Sequence, residues 1–545
     1  MRLASALSRD GWGWLIGLGL VVAACGDDTG TGASGGDGAG NGGGTSQGGN
    51  GANGGSTSDG GSTADGGGGG MVTLPDGVDV TLAANGSNGT TRVNFAVPLQ
   101  GGQLSDATLV RVFAGDTEIA RGTRGLAPRG DGSFRSVQVQ VDVDPAATGT
   151  LTVEIGEAGA AGDLPLVAVE DTLVDPSGEA GPRVWAMLPA SWLSESGVTG
   201  PQIPEADVDG SLAAWADRCD YAAFDTDQFI AEGAADTRAV WLYDRGTAFY
   251  RGYARRGDLV PLASAYRESN MYRNLIVGSG TSARNGLPEG ASEDVKYQYA
   301  QNLAIHYLLT GDDRFQTSAE DMALGMTELW PSPGYEGGAD MWTERNAGFS
   351  LLAYVWAATV SDDQSEVLWA AADEAVEAYI ELQETYPVGY DDPDARCFAH
   401  HGDAHDPDEG NPYFGCSPWM SAILADGLDA YARARGGAQA DAARASLVKL
   451  GRILARDGRD ESDVPYYWMG VGTDQDAPDE YLEHVGESAY VIALAWRLDG
   501  GSDAEMLDAA NVLVDKFAAE GEVGQLRSFN WQCRSAVMTP WLLND

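Results

Sequence analysis

From residue 71 onward the apolar positions follow two periods in turn. Val137, Val139, Val141 and Val143 alternate with Gln138, Gln140 and Asp142, and Leu151, Val153 and Ile155 alternate likewise. A period of two predicts strands with one apolar face and one wet face. Arg92–Val97, Leu109–Phe113 and Arg183–Leu188 read as further strands, with turn signals such as Gly115-Asp116 and Asp131-Gly132 between them. Short strands at this spacing predict an antiparallel β-sandwich over 71–195. Residues 196–230, centred on Pro201–Asp209, read as a connector.

Over 231–545 the pattern becomes helical and repeats. Tyr253-Ala254-Arg255-Arg256-Gly257-Asp258 and Tyr307-Leu308-Leu309-Thr310-Gly311-Asp312 each end one helix and open another. Weaker copies stand at Ala358–Asp362, Ala434–Gly437 and Arg497–Gly501. In each, glycine or a small residue stops a helix and Asp or Ser is available to cap the next. One helical hairpin cannot bury its apolar face alone. Five or six of them can close into a toroid with a central depression. The expected fold is therefore multidomain: an N-terminal antiparallel β-sandwich followed by a mainly α-helical (α/α) toroid of helical hairpins.

The first seventy residues change the picture of where the chain works. Trp12 to Ala24 is apolar after a basic start at Arg2 and Arg9, the length of a signal-peptide core rather than of a membrane span. The run ends in Val22-Ala23-Ala24-Cys25, which resembles the bacterial lipobox. The resemblance implies a lipoprotein signal peptide over 1–24, acylation of Cys25, and residence in the cell envelope, lipid-anchored to the outer membrane or surface. Gly26 to Gly70 holds 22 glycines in 45 residues, with no aromatic residue, Lys or Arg. Residues 25–70 therefore read as a lipid-anchored flexible linker, with a root-mean-square reach of about 37 Å.

The net charge of −48, from 33 basic and 81 acidic residues, argues against nucleic acid and against flat docking on anionic lipid. The membrane is then met through the N-terminal lipid only, and no protein partner is inferred. Apart from Cys25 there are four cysteines, an even number in an exported chain. The expected pairs are Cys397 with Cys416 and Cys219 with Cys533, against the alternative of free buried thiols.

The repeated Tyr…Thr-Gly-Asp hairpin turn, over roughly 230–540, resembles that of the α/α-toroid carbohydrate-active enzymes, the six-hairpin glycosidases and toroid polysaccharide lyases. Glu344-Arg345-Asn346-Ala347-Gly348-Phe349 and Ser417-Pro418-Trp419-Met420, each leading into a helix, fit that likeness. Asn94–Leu99 and Asp131-Gly132-Ser133-Phe134-Arg135 ahead of a valine strand resemble the N-terminal domain of exo-acting rhamnogalacturonan lyase-like proteins. The likeness implies a polysaccharide substrate.

Candidate chemistry follows. Many of the 15 tryptophans and 20 tyrosines fall near hairpin ends, where aromatic faces can stack on sugar rings; Trp342, Trp419 and Tyr467 are the candidates. Residues 238–314 hold ten basic and eight acidic groups, a local excess that suits a uronate polymer; Arg251 and Arg273 are the candidates there, with helix-face ion pairs as the alternative. A lyase needs a group to neutralise the uronate carboxylate, a base for the C5 proton and an acid for the leaving oxygen. Arg345 and Asn346 are assigned to the first, His401 or His484 to the second, and Tyr413 to the third. A hydrolase needs paired carboxylates, for which Asp340, Glu344, Glu483 and Glu487 are available. A glycan-binding protein without catalysis is the third reading. The loop Cys397–Asn411 carries three histidines and four carboxylates. It is a candidate site for a divalent cation, zinc or calcium, through His400, His405 and Asp406, or else a plain polar loop.

Overall fold

The computed structural model describes residues 74–288, 290–331, 342–405, 413–473, 475–478, 482–521 and 523–544. The signal segment, Cys25, the glycine-rich linker, Asp340 and Asp406 lie outside the described residues, as does the side chain of His405. All described residues belong to one compact unit, and no helix among them is long and apolar enough to cross a membrane.

The N-terminal layer contains β1 (Gly77–Ala84), β2 (Thr91–Pro98), β3 (Val110–Ala114), β4 (Thr117–Ile119), β5 (Arg121–Pro128), β6 (Phe134–Val143), β7 (Thr150–Ile155) and β8 (Val184–Met187). They form two antiparallel sheets, β4-β3-β7-β1-β8 and β2-β6-β5. Val137, Val139 and Val141 of β6 are fully buried, as the alternation predicts. The opposite face is wet only at Asp142. Gln138 and Gln140 are buried too, because that face docks on the helical layer. Asn94 Nδ2 donates to the Thr310 carbonyl at 2.8 Å, and Gln138 Nε2 donates to Asn94 Oδ1 at 2.7 Å. Arg124 donates to the Gly311 carbonyl at 2.7 Å and pairs with Asp313 at 2.8 Å. A polar strand face is thus used as an interface, with its amides satisfied by the end of a helix.

The stretch read as sandwich ends in a helix, α1 (Ala190–Ser196), and the expected connector is partly helical, with α2 (Gly210–Ala216) and α3 (Thr226–Ala231). The hairpins follow: α4 (Arg245–Arg256) with α5 (Leu259–Asn274), α6 (Gln301–Thr310) with α7 (Asp313–Leu329), and α8 (Glu344–Val360) with α9 (Ser365–Thr385). After the short α10 (Gly402–His405) come α11 (Pro418–Arg435) with α12 (Gly437–Asp457), and α13 (Val485–Leu498) with α14 (Ala504–Glu520). The chain finishes in α15 (Leu526–Ser535) and α16 (Thr539–Leu543). Small ribbons decorate the loops: β9 (Ile276–Val277) with β10 (Arg284–Asn285), and the sheet of β11 (His400–His401), β12 (Phe414–Cys416), β13 (Tyr466–Gly470) and β14 (Ala477–Pro478).

Among the described residues, α4, α6, α8, α11, α13 and α15 pack in sequence, and α15 packs back on α4. The ring is therefore closed. α5, α7, α9, α12 and α14 lie outside their partners, and α2 packs on α14 beside α15. The last hairpin position is thus built from both ends of the helical region, where Cys219 is bonded to Cys533. Cys397 is bonded to Cys416.

The turns obey their local chemistry. Gly257 and Gly311 end their helices in the left-handed region, at φ 65° and 70°, and Asp258 and Asp312 cap the helices that follow. Gly311 has a second reason to be glycine: a Cβ there would stand 2.5 Å from the Gln138 side chain of β6. At Gly348, where α8 crosses α11, a Cβ would meet the Leu424 amide nitrogen at 2.5 Å, so this glycine sets how near the two helices come.

Candidate active site

The chain enters each inner helix at one end of the ring, and the residues at those helix starts converge. Arg345 lies in the first turn of α8, Trp419 in that of α11 and Arg527 in that of α15, while His484 precedes α13, Tyr243 precedes α4 and Tyr297 precedes α6. Trp419 and His484 stack at 4.5 Å with their planes 10° apart, and Trp531 lies 4.6 Å from His484. Tyr467 lies 5.8 Å from both Trp419 and His484. Tyr243 meets Trp531 at 5.5 Å and Trp419 at 6.0 Å. The guanidinium of Arg345 stands over Trp419 at 5.8 Å, and that of Arg527 over Trp531 at 5.7 Å.

Arg345 donates from Nη1 to the Tyr243 hydroxyl oxygen at 3.1 Å and is 9% exposed. Burial opposes its charge, but Tyr243, Asp294 and Tyr467 outweigh that and raise its pKa. No ion pair joins Arg345 or Arg527 to a carboxylate among the described residues. His484 is different: burial and then the Arg527 charge push it down to about 3, so it is a neutral ring in a stack of rings.

Behind this cluster sits a buried couple. His400 Nδ1 is 2.6 Å from Glu344 Oε2, and both side chains are fully buried. The Ser417 N–H donates to Glu344 Oε1 at 3.1 Å, and Ser417 Oγ donates to the Tyr467 carbonyl at 2.9 Å. Trp468 packs edge-on to His400 at 4.7 Å and Trp342 lies 6.4 Å away. This couple fixes the start of α8 against that of α11, and so fixes Arg345 against Trp419.

Of the residues chosen from the sequence, Arg345, Trp419, Tyr467 and His484 are brought together, with Asn346 beside Arg345, its N–H donating to the Thr343 cap at 3.3 Å. Others stand elsewhere. Successive strand residues face opposite ways, so as His400 of β11 points inward, His401 points away and packs on Phe414 at 5.5 Å. Tyr413 stands 6.5 Å from Trp468, on that same small sheet. Trp342 is core, edge-on to Tyr379 at 5.8 Å. Arg251 is fully buried inside the ring, with Nη2 3.0 Å from both oxygens of Asp426, which also pairs with Arg534 at 3.1 Å. Arg273, on the outer helix α5, stands over Phe315 at 5.3 Å.

The basic stretch 238–314 does not form a wall. Arg245 pairs with Glu268, Arg256 with Asp258, Lys296 with Asp294 and Arg314 with Asp312, all within 3.1 Å. Among the described residues no three His, Cys, Asp or Glu side chains are grouped as metal ligands. Tyr243, Tyr297 and Arg527 escaped the sequence reading, yet each stands at an inner-helix start as Arg345 and Trp419 do. A search of every such position would have found them.

No protein-family model matches the chain, and no curated protein matches it. Among solved structures it is similar to a glycosyl hydrolase family 88 protein from Bacteroides vulgatus, at 10% identity over 61% of this chain and 100% of that one, with a TM-score of 0.43. It is also similar to a protein described as a polysaccharide lyase, at 11% identity over 60% of this chain and 97% of that one, with a TM-score of 0.42.

Proposed function

We propose that the chain degrades a polysaccharide at the ring depression, cleaving a uronate-containing glycan by β-elimination. The observation that carries this reading is Arg345: a nearly buried cation, with no carboxylate partner among the described residues, set in a cluster of aromatic rings and bonded to the Tyr243 hydroxyl. Tyr467, partly exposed beside these buried rings, has a face that suits the apolar face of a sugar. A uronate carboxylate on Arg345 has its charge offset there. That offset is what lets the C5 proton leave, because it stabilises the carbanion, in its aci form, that remains. Tyr243 is the proton-transfer group next to whatever Arg345 holds, and serves the C5 proton or the leaving oxygen. His401 is not assigned the base, since it faces away, nor is His484, whose depressed pKa makes it a poor one.

Glu344 argues against the hydrolase reading, because it is committed to His400 and to the Ser417 amide. A retaining or inverting hydrolase needs two carboxylates facing the scissile bond. The test is product chemistry on a panel of acidic and neutral polysaccharides. Elimination leaves an unsaturated uronate end that absorbs in the ultraviolet, and Arg345→Ala lowers its production by about two to three orders of magnitude, the scale of losing one preorganised charge-stabilising donor, with the fold intact by circular dichroism. Saturated ends only would instead identify a hydrolase, and binding without cleavage a platform.

A further inference from the structure

Arg345 and Arg527 share a placement that helix stability does not explain. Each is the second residue of its helix, α8 and α15. The start of a helix is its positive end, where a cation is unfavourable and an anion is favoured. Many arginines elsewhere on the helical layer meet carboxylates, such as Arg245 with Glu268, Arg251 with Asp426, Arg433 with Asp429 and Arg452 with Asp499, and others, such as Arg218 and Arg396, donate to backbone carbonyls. Arg345 and Arg527 have no carboxylate partner among the described residues, in a chain with 81 acidic groups. Each lies on a tryptophan, and the two tryptophans flank His484.

The donors point the same way. Arg345 Nε, Arg527 Nε and Trp419 Nε1 are buried and have no hydrogen-bond partner among the described residues. Unpaired buried donors carry a desolvation penalty, and clusters of them call for an acceptor. Arg527 is also felt on two sides. Its charge contributes to depressing His484 and to offsetting the rise at Tyr297, so it reaches both groups.

We infer that Arg527 forms a second anion subsite, apart from Arg345, which takes an acidic group on the sugar next to the one being cleaved. The inference rests on the uronate reading above and sharpens its substrate class: the glycan carries negative charge on neighbouring residues, as a carboxylate or a sulfate ester. Trp419, His484 and Trp531 form the buried stack that backs the two cations, one on each tryptophan.

The test uses the full chain with three sets of short oligosaccharides: an unsulfated homopolyuronate, a uronate alternating with a sulfated neutral sugar, and a uronate alternating with an unsulfated neutral sugar. Cleavage is followed in the ultraviolet, and binding by tryptophan fluorescence with the cleavage-dead Arg345→Ala variant as the background. Arg527→Gln should raise KM about tenfold or more on the first or second set, whichever the protein cuts, with kcat changed less than threefold. Arg527→Lys should recover most of the loss. The set that responds tells carboxylate from sulfate. Equal KM for wild type and Arg527→Gln on both charged sets, or an equal rise on the third set, would overturn the second subsite while leaving β-elimination intact. Absence of unsaturated product from all three sets with wild type overturns the uronate reading itself, and the subsite with it.

Discussion

His484 shows how placement decides what a titratable residue does. From the sequence it is a candidate base at a helix start. In the fold it is sealed between Trp419 and Trp531, and its pKa lies near 3. The unfolded imidazole takes its proton near 6.5, so between those values the unfolded chain holds the extra proton. Stability from this group is complete above about 6.5 and is lost as pH falls towards 3, on the order of 3–5 kcal/mol over the whole window. Urea titrations from pH 7 to pH 4 should show His484→Phe losing stability less steeply than wild type. Parallel curves would mean that the folded imidazole titrates at its ordinary pH. His400 and His401 make the complementary point. They are adjacent in the sequence, and only strand alternation separates the one buried on Glu344 from the one turned to Phe414. Residue types pointed to the right loop, but the facing of a two-residue strand has no pattern to read, because a period needs more than one repeat to be seen.

Hairpin turns were the most legible elements, because glycine stops and aspartate caps are local chemistry. Gly257-Asp258 and Gly311-Asp312 act as their sequence implies. The β6 face shows where such reading ends. Alternation correctly separates valines from glutamines, but it does not say what a polar face touches, and here it touches the end of α6. Gly311 joins the two observations, since it needs a positive φ and has no room for a Cβ beside Gln138. Gly311→Ala should therefore cost more than about 1 kcal/mol, seen as a lower urea midpoint at an unchanged slope. A neutral result would show that the Gln138 side chain swings aside and that the turn tolerates alanine.

At the scale of the whole molecule, the ring and its charge act together. Among the described residues most helical-layer arginines are matched to carboxylates, so the large acidic excess is spread over the surface. Arg345 and Arg527, without a carboxylate ion pair among the described residues, then form a local attraction that such a surface would otherwise deny to an acidic polymer. The ring was legible as a set of hairpins. Its last position was legible only through the expected Cys219–Cys533 pair, because α2 and α15 are remote in sequence and share no motif. Their bond, Cys219 to Cys533, spans 314 residues. In the chain-entropy account a loop of that length is worth about 5–6 kcal/mol. Cys533→Ser should lower the urea midpoint substantially more than Cys416→Ser, whose loop spans 19 residues. Equal losses would mean that strain or residual structure, and not loop length, governs both bonds.

That closing bond also has a consequence in time. The two native pairs are nested, Cys397–Cys416 inside Cys219–Cys533. As the chain is made from its N-terminus, Cys219 appears first and waits through the synthesis of five complete hairpins for a partner that arrives almost last. Oxidation that joined cysteines in order of appearance would couple Cys219 to Cys397 and strand Cys416 with Cys533. Such a species could neither seat α15 beside α4 nor hold the loop that carries His400. Maturation of this protein is therefore a problem of timing, in which an early thiol must be kept reduced, or a premature bond undone, until the ring has a last helix to close on.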